Sequence, residues 1–365
     1  MNDVGGHARA IELIADELDM YQNGVLPNIA ELANAIYAKL RIRYREALFL
    51  LGDHTLPIAQ CILSRRLIRL GDNIPGSNLR WEDVASSGLV WFEGSGIDDV
   101  YGPLGYLVAP YIWLWMLARL PPEKNTKRLC QFLSTWKFND YEQLLNLETD
   151  QGFPGDTTWQ NFEVFCCYFR ILRSLGFEDG EKVPLTLLHS GCKLRDDQET
   201  MVVNRHLDFA RAVHQYWTNS MGECATTRKK GRPAEEVVTR NSGTLNADDQ
   251  LSHVILNAPT ASAGDFFLSI ETSAGSQGNI VREVGQCKSI QKNLTPETYD
   301  KERNKCAGRD DIFMLYTDTK NSDDFALPDR SGLVDKSCWR SYFGPFFGRA
   351  FMALRYREFD VGIST

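Results

Sequence analysis

Three side chains in the last third of this 365-residue chain could act together on a phosphate ester: Asp265, Gln286 and Lys288. In Asp265-Phe-Phe-Leu-Ser-Ile-Glu271 the two-residue period of a strand puts Asp265, Phe267, Ser269 and Glu271 on one face, and Phe266, Leu268 and Ile270 on the other. The stretch from Ser273 to Asn279, rich in Gly and Ser, turns the chain, and Val281 to Lys288 returns as a second strand. With the turn centred near Ser276 and Gln277, an antiparallel hairpin sets Asp265 roughly opposite Lys288, with Gln286 on the same face. A carboxylate and an amide oxygen are hard ligands for Mg²⁺ or Mn²⁺, and an ammonium can orient or help deprotonate an attacking water. Together these are the parts of phosphodiester hydrolysis. Gln286 where an acid would serve removes one negative charge, so a compensating carboxylate is expected. Glu271, Asp249 and Asp248 are the candidates. The competing reading of the same spacing is an ordinary cross-strand ion pair between Asp265 and Lys288.

The elements that must position these groups follow from hydrophobic periodicity. Ala8 to Leu18 carries Ile11, Ile14, Ala15 and Leu18 at three- and four-residue spacings, an amphipathic helix. Further helices are expected through Ile29–Leu40, Tyr44–Leu51 and Leu56–Leu70, and another from Asn78 that Gly88 stops. Three helices and then a short extended piece suggest a winged-helix module over residues 56–125. Residues 126–226 read as mostly helical, with Trp159 to Leu175 the clearest case. A basic linker follows at 227–240, and after it the period changes from helical to alternating, so residues 241–365 are expected to form a separate α/β domain. The expectation is thus a multidomain chain whose N-terminal two thirds are mostly α-helical.

The formal net charge of −8 argues against a surface that coats nucleic acid everywhere, so a DNA contact must be local. The candidate is Arg228, Lys229, Lys230 and Arg232, set around a Gly-Arg-Pro core of the kind that lies in a narrow minor groove. The same run could be a nuclear-import signal or a solvated linker. Nine scattered cysteines with no CxxC pair suit reduced thiols in a cytosol or nucleus. No secretory signal is expected at the start, where no apolar run follows a basic stretch. Gly102 to Ala118 is uncharged but broken by Pro103 and Pro110, so a buried strand and helix are expected there and no membrane span.

The Asp265 strand followed by Gln286-Cys-Lys288 resembles the PD-(D/E)XK nuclease superfamily in its Gln-x-Lys form. In that likeness Leu294 to Lys305 is the helix behind the site and Asp311 to Tyr316 the next strand, which implies a restriction-endonuclease-like domain. Gly5-Gly-His-Ala-Arg-Ala10 is similar to the helix start in the lid of STAND-type P-loop ATPases, with further matches at Leu89–Pro110, Phe162-Glu163 and Val183–Lys193. Residues 1–55 then resemble a remnant of that lid. In this order the segments resemble Crinkler effectors and the related retrotransposon-hot-spot proteins, which join an ATPase to such a nuclease. No GxxxxGK[ST] motif is present, so no ATP hydrolysis is expected. The resemblance implies an effector working in a nucleus, a host nucleus included, on DNA and on host nuclear proteins. It implies Mg²⁺ held by Asp265, Gln286 and Glu271, with a catalytically inactive, DNA- or protein-binding effector as the alternative.

Overall fold

The computed structural model describes residues 8–19, 29–117, 158–212, 216–218, 224–226, 237–239, 251–257, 264–273, 279–290, 294–320 and 325–355. The chain divides into two compact units, one of residues 1–156 with 344–352, the other of 157–343 with 353–365.

In the first unit α1 (Ala8–Asp19), α2 (Ile29–Arg43), α3 (Arg45–Leu51) and α4 (Thr55–Ser64) precede a small sheet. Its strands are β1 (Ile68–Arg69), β2 (Trp91–Asp99) and β3 (Gly102–Val108), in the antiparallel order β1-β3-β2, with α5 (Trp81–Ser86) between β1 and β2 and α6 (Tyr111–Leu117) after β3. Helix α4 reads Thr-Leu-Pro-Ile-Ala-Gln-Cys-Ile-Leu-Ser, and Ile58, Ala59, Cys61, Ile62 and Leu63 are all buried, as expected of a helix apolar on nearly every side. It ends where Arg65 adopts a left-handed conformation, φ 51°, and lays its guanidinium 4.5 Å over the Tyr106 ring. Arg45 to Ser64 is long and apolar enough to cross a membrane by length and composition. It is interrupted by the 3₁₀ turn Gly52–His54 and largely packed inside the unit, as a core helix is.

The second unit carries the rest. Helix α7 (Thr158–Leu175) is followed by β4 (Lys182–Pro184), α8 (Leu185–Leu188), β5 (Lys193–Arg195), β6 (Met201–Val203) and β7 (Asp208–Ala212). Then come β8 (Tyr216–Thr218), β9 (Cys224–Thr226), β10 (Val237–Thr239), β11 (His253–Leu256), β12 (Phe266–Thr272) and β13 (Asn279–Lys288). The last elements are α9 (Pro296–Cys306), β14 (Ile312–Thr317), β15 (Ser331–Val334) and α10 (Trp339–Phe343), whereas α11 (Phe347–Arg355) belongs for most of its length to the first unit. The main sheet runs β10-β7-β11-β12-β13-β14-β15-β5, with β6 on β12 and β4 on β6. It is mixed: β13, β14 and β15 are parallel, whereas β12–β13 is an antiparallel hairpin.

This corrects the expectation of a mostly helical N-terminal two thirds. Ten of the fifteen described strands lie before residue 240, and the sheet expected only after 240 takes β4, β5, β6, β7 and β10 from residues 182–239. The physical reason is strand length: β4, β5 and β6 are three residues each, too short to display a two-residue period. They are strands because the sheet edge pairs them.

Both faces of the sheet are covered, which is why Ile312-Phe-Met-Leu-Tyr-Thr317 is buried at every position. On one face Phe162, Phe165 and Phe169 of α7 pack with Trp339, Tyr342 and Phe343 of α10. On the other, Tyr299 and Cys306 of α9 join Phe267, Val284, Phe313 and Leu315.

Candidate functional site

The face of each side chain follows from register. Phe266 pairs with Gly285 and Phe267 with Val284, so the ladder continued by one residue sets Asp265 beside Gln286, with Lys288 one diagonal step further. The hairpin is therefore two residues out of the register expected from the sequence. All three side chains still share the face that α9 covers, since a two-residue offset preserves the pleat.

Asp265 is pinned by its backbone. Its N–H donates to Gly285 O at 2.8 Å, and its carbonyl accepts from Asn257 N–H at 2.8 Å. Two glycines make room for this. Gly264 sits at φ +59°, and a Cβ there would come within 2.5 Å of the Phe267 ring. At Gly285 a Cβ would lie 2.0 Å from the Phe266 ring. Gly285→Ala is therefore expected to cost about 1–3 kcal/mol by overpacking, read as a lower urea midpoint. An unchanged midpoint would mean that Phe266 moves aside freely.

The Asp265 carboxyl accepts from Gln286 Nε2 at 2.6 Å and from the Cys287 N–H on the same oxygen. Burial pushes its pKa up, and the nearby Glu302 carboxylate adds to this. The Cys287 N–H and the Lys288 ammonium oppose it, leaving the group at about 6. Gln286 turns its amide oxygen to the Gly264 N–H at 3.1 Å. Flipping the amide would set an NH₂ against that N–H and an oxygen against a carboxylate, so the orientation is decided on both sides. The oxygen of Gln286 thus serves the Gly264 backbone, while its nitrogen holds Asp265.

Lys288 ends β13 with its Nζ 3.8 Å from Glu302 Oε2 on α9. Glu302 is the residue that strand patterning missed. The signal was helical phase: Tyr299 and Cys306 are buried, and Glu302 lies between them, three residues after one and four before the other. Glu271 lies elsewhere. It stands six residues along β12, roughly 20 Å at strand rise, and pairs with Arg205 at 3.4 Å. Arg228, Lys229, Lys230, Arg232, Asp248 and Asp249 lie outside the described residues.

Among the described residues no group of three Asp, Glu, His or Cys side chains could hold a metal ion. Asp265 and Glu302 offer two hard carboxylates within mutual electrostatic reach. One carboxylate, a second negative charge nearby and several retained waters suit Mg²⁺, which needs no complete protein cage.

A second cluster lies beneath β13, on the α7 side. Arg170 Nε donates to Glu283 Oε1 at 3.0 Å and Oε2 at 3.1 Å, and His189 Nε2 is 3.4 Å from Glu283 Oε2. His189 Nδ1 meets the Tyr342 hydroxyl at 3.2 Å, which in turn meets the Tyr316 hydroxyl at 3.2 Å. Burial lowers the His189 pKa, against the pull of Glu283, so the ring is neutral. A proton on Nε2 then faces Glu283 and leaves Nδ1 to accept from Tyr342.

Comparison with known proteins adds an independent line. Along 361 residues, 96% of its length, the chain is 26% identical to Crinkler effector protein 108 of Phytophthora sojae. The chain is similar to a Crinkler effector. It spans 39% of that relative's length. No family profile and no solved structure matches. The Crinkler likeness drawn from the order of motifs is supported across nearly the whole chain, whereas the nuclease and lid likenesses are not addressed by it.

Proposed function

We propose that this chain is part of a Crinkler-type effector that hydrolyses phosphodiester bonds of DNA in a nucleus, with Asp265 and Lys288 at its centre. The observation that carries this reading is their placement. A buried carboxylate and an ammonium lie on one face of adjoining strands, with a second carboxylate, Glu302, reaching the same place from α9. Asp265, with retained waters, would hold Mg²⁺ or Mn²⁺, which when bound neutralises phosphate charge and acidifies water, while Glu302 adds negative charge nearby.

The chain's own residues have distinct parts. Asp265 is ionised above about pH 6, and Gln286 fixes its orientation through Nε2. Lys288, with its side chain 40% exposed, can reach a phosphate oxygen from solvent. In a plasmid-nicking assay with Mg²⁺ or Mn²⁺, Asp265→Ala and Lys288→Ala are each expected to lose at least about a hundredfold in rate, the scale of removing one preorganised group. Equal nicking by wild type and both variants would remove this site from the account.

A second reading rests on Gln286. Its amide stands where an acid would add a ligand, and it spends its oxygen on Gly264. That arrangement favours an effector that binds DNA or protein without cutting. Salt-dependent DNA binding with no metal-dependent nicking would select it.

A further inference from the structure

Glu302 presents an unusual carboxylate. Its outer oxygen, Oε1, accepts from Lys305 Nζ at 2.7 Å, whereas its inner oxygen, Oε2, is buried with no hydrogen-bond donor. A buried carboxylate oxygen without a donor costs free energy, and folds keep such groups chiefly where they serve a site. The Lys288 ammonium lies 3.8 Å from that oxygen, in ion contact but beyond hydrogen-bond length.

The helix that carries Glu302 is fixed on either side of it. Tyr299 donates its hydroxyl to Gly332 O at 3.0 Å, Arg303 Nε donates to Ser331 Oγ at 3.1 Å, and Cys306 is buried. Lys288 by contrast is a flexible side chain at the end of a strand, 40% exposed. A rigid carboxylate facing a mobile ammonium restricts the ammonium, and the reverse does not hold. Asp265 attracts the same ammonium from the strand side.

We infer that Glu302 is a positioning residue for Lys288, holding its ammonium beside Asp265 where a phosphodiester would be engaged. This rests on the hydrolytic reading for its consequence in turnover, but not for the tether itself. Lys305 saturates the outer oxygen and so turns the inner one toward Lys288. Outer partners of site residues are commonly worth 10–100-fold in activity, and misplacing a reacting group by an ångström has a similar effect.

The test uses the full chain with Glu302→Gln and Glu302→Asp. Two measurements are made: plasmid nicking in Mg²⁺, and pulse acylation of Lys288 with acetic anhydride, read by peptide mass spectrometry. Glu302→Gln is expected to lower kcat by roughly 10–100-fold with little change in KM, to melt within a few degrees of wild type, and to raise Lys288 labelling several-fold. Glu302→Asp, which keeps the charge, should recover most of both. Nicking by Glu302→Gln at the wild-type rate, or loss of activity only in proportion to lost melting temperature, overturns the inference. If the wild type does not nick at all, the hydrolytic reading fails and labelling alone decides. Increased labelling then upholds the tether, and unchanged labelling overturns it.

Discussion

Replacing Glu283 with alanine is expected to destabilise the second unit by about 3–5 kcal/mol, the usual consequence of stripping one partner from a buried ion pair. The carboxylate is wholly buried and the Arg170 side chain is 4% exposed, so the variant leaves a guanidinium in an apolar enclosure with no counter-charge. For a unit of this size the loss corresponds to a fall in Tm of roughly 6–20 °C by calorimetry. His189 loses its polar neighbour as well, so the chain through Tyr342 and Tyr316 is left without its anionic end. Replacing both partners, Arg170→Met with Glu283→Leu, should recover most of the loss, because no charge then remains buried. Burial by itself would raise the Glu283 pKa. Arg170, with His189, overrides it and holds the group at about 2. The folded pKa lies below the unfolded one, so this stabilisation is present above about pH 4.5 and disappears as pH falls toward 2. A Glu283→Ala variant within about 1 kcal/mol of wild type at pH 7 would show that the pair contributes nothing.

Asp265→Asn is expected to have the opposite sign. Unfolded, the carboxyl titrates near 3.9, whereas in the fold burial pushes it to about 6. Between those values the folded chain keeps a proton that the unfolded chain has released. The group's contribution is therefore fully present below about pH 4 and is lost as pH rises through 6. A shift of about two units is worth about 2–3 kcal/mol. Asparagine keeps an oxygen for the Cys287 N–H and carries no charge to desolvate, so the variant should gain on wild type by about that amount between pH 4 and pH 7.5 in urea unfolding. A difference that does not change with pH would mean that water reaches Asp265. The same variant should be inactive in nicking, so a gain in stability with a loss of activity would mark Asp265 as a group kept for function.

Much of the site's local grammar was readable in advance. The alternation from Asp265 to Glu271, the Gln286-Cys-Lys288 ending of the return strand, helix α9 and the buried strand β14 all follow from short-range patterns. Local pattern decides which face a residue takes, and so it puts Asp265, Gln286 and Lys288 on one face, as the register does. It does not decide register, because moving the turn by one residue slides the ladder by two and leaves every face unchanged. That slip put Gln286, rather than Lys288, beside Asp265.

The partners supplied by other elements were hidden for a different reason. Glu302 arrives from a helix, while Glu271, six residues along β12 from Asp265, pairs with Arg205 from the loop after β6. The edge strands β4, β5 and β6 hold their pairs across long separations, Arg195 with Ser331 for example. Such pairing is settled by the whole sheet burying both faces at once, not by any three-residue stretch. The amino-acid sequence by itself determined which residues face the site. The tertiary structure decided which of them touch, and it did so because a carboxylate in a low-dielectric interior must take whatever donor or counter-ion the packed elements bring within reach.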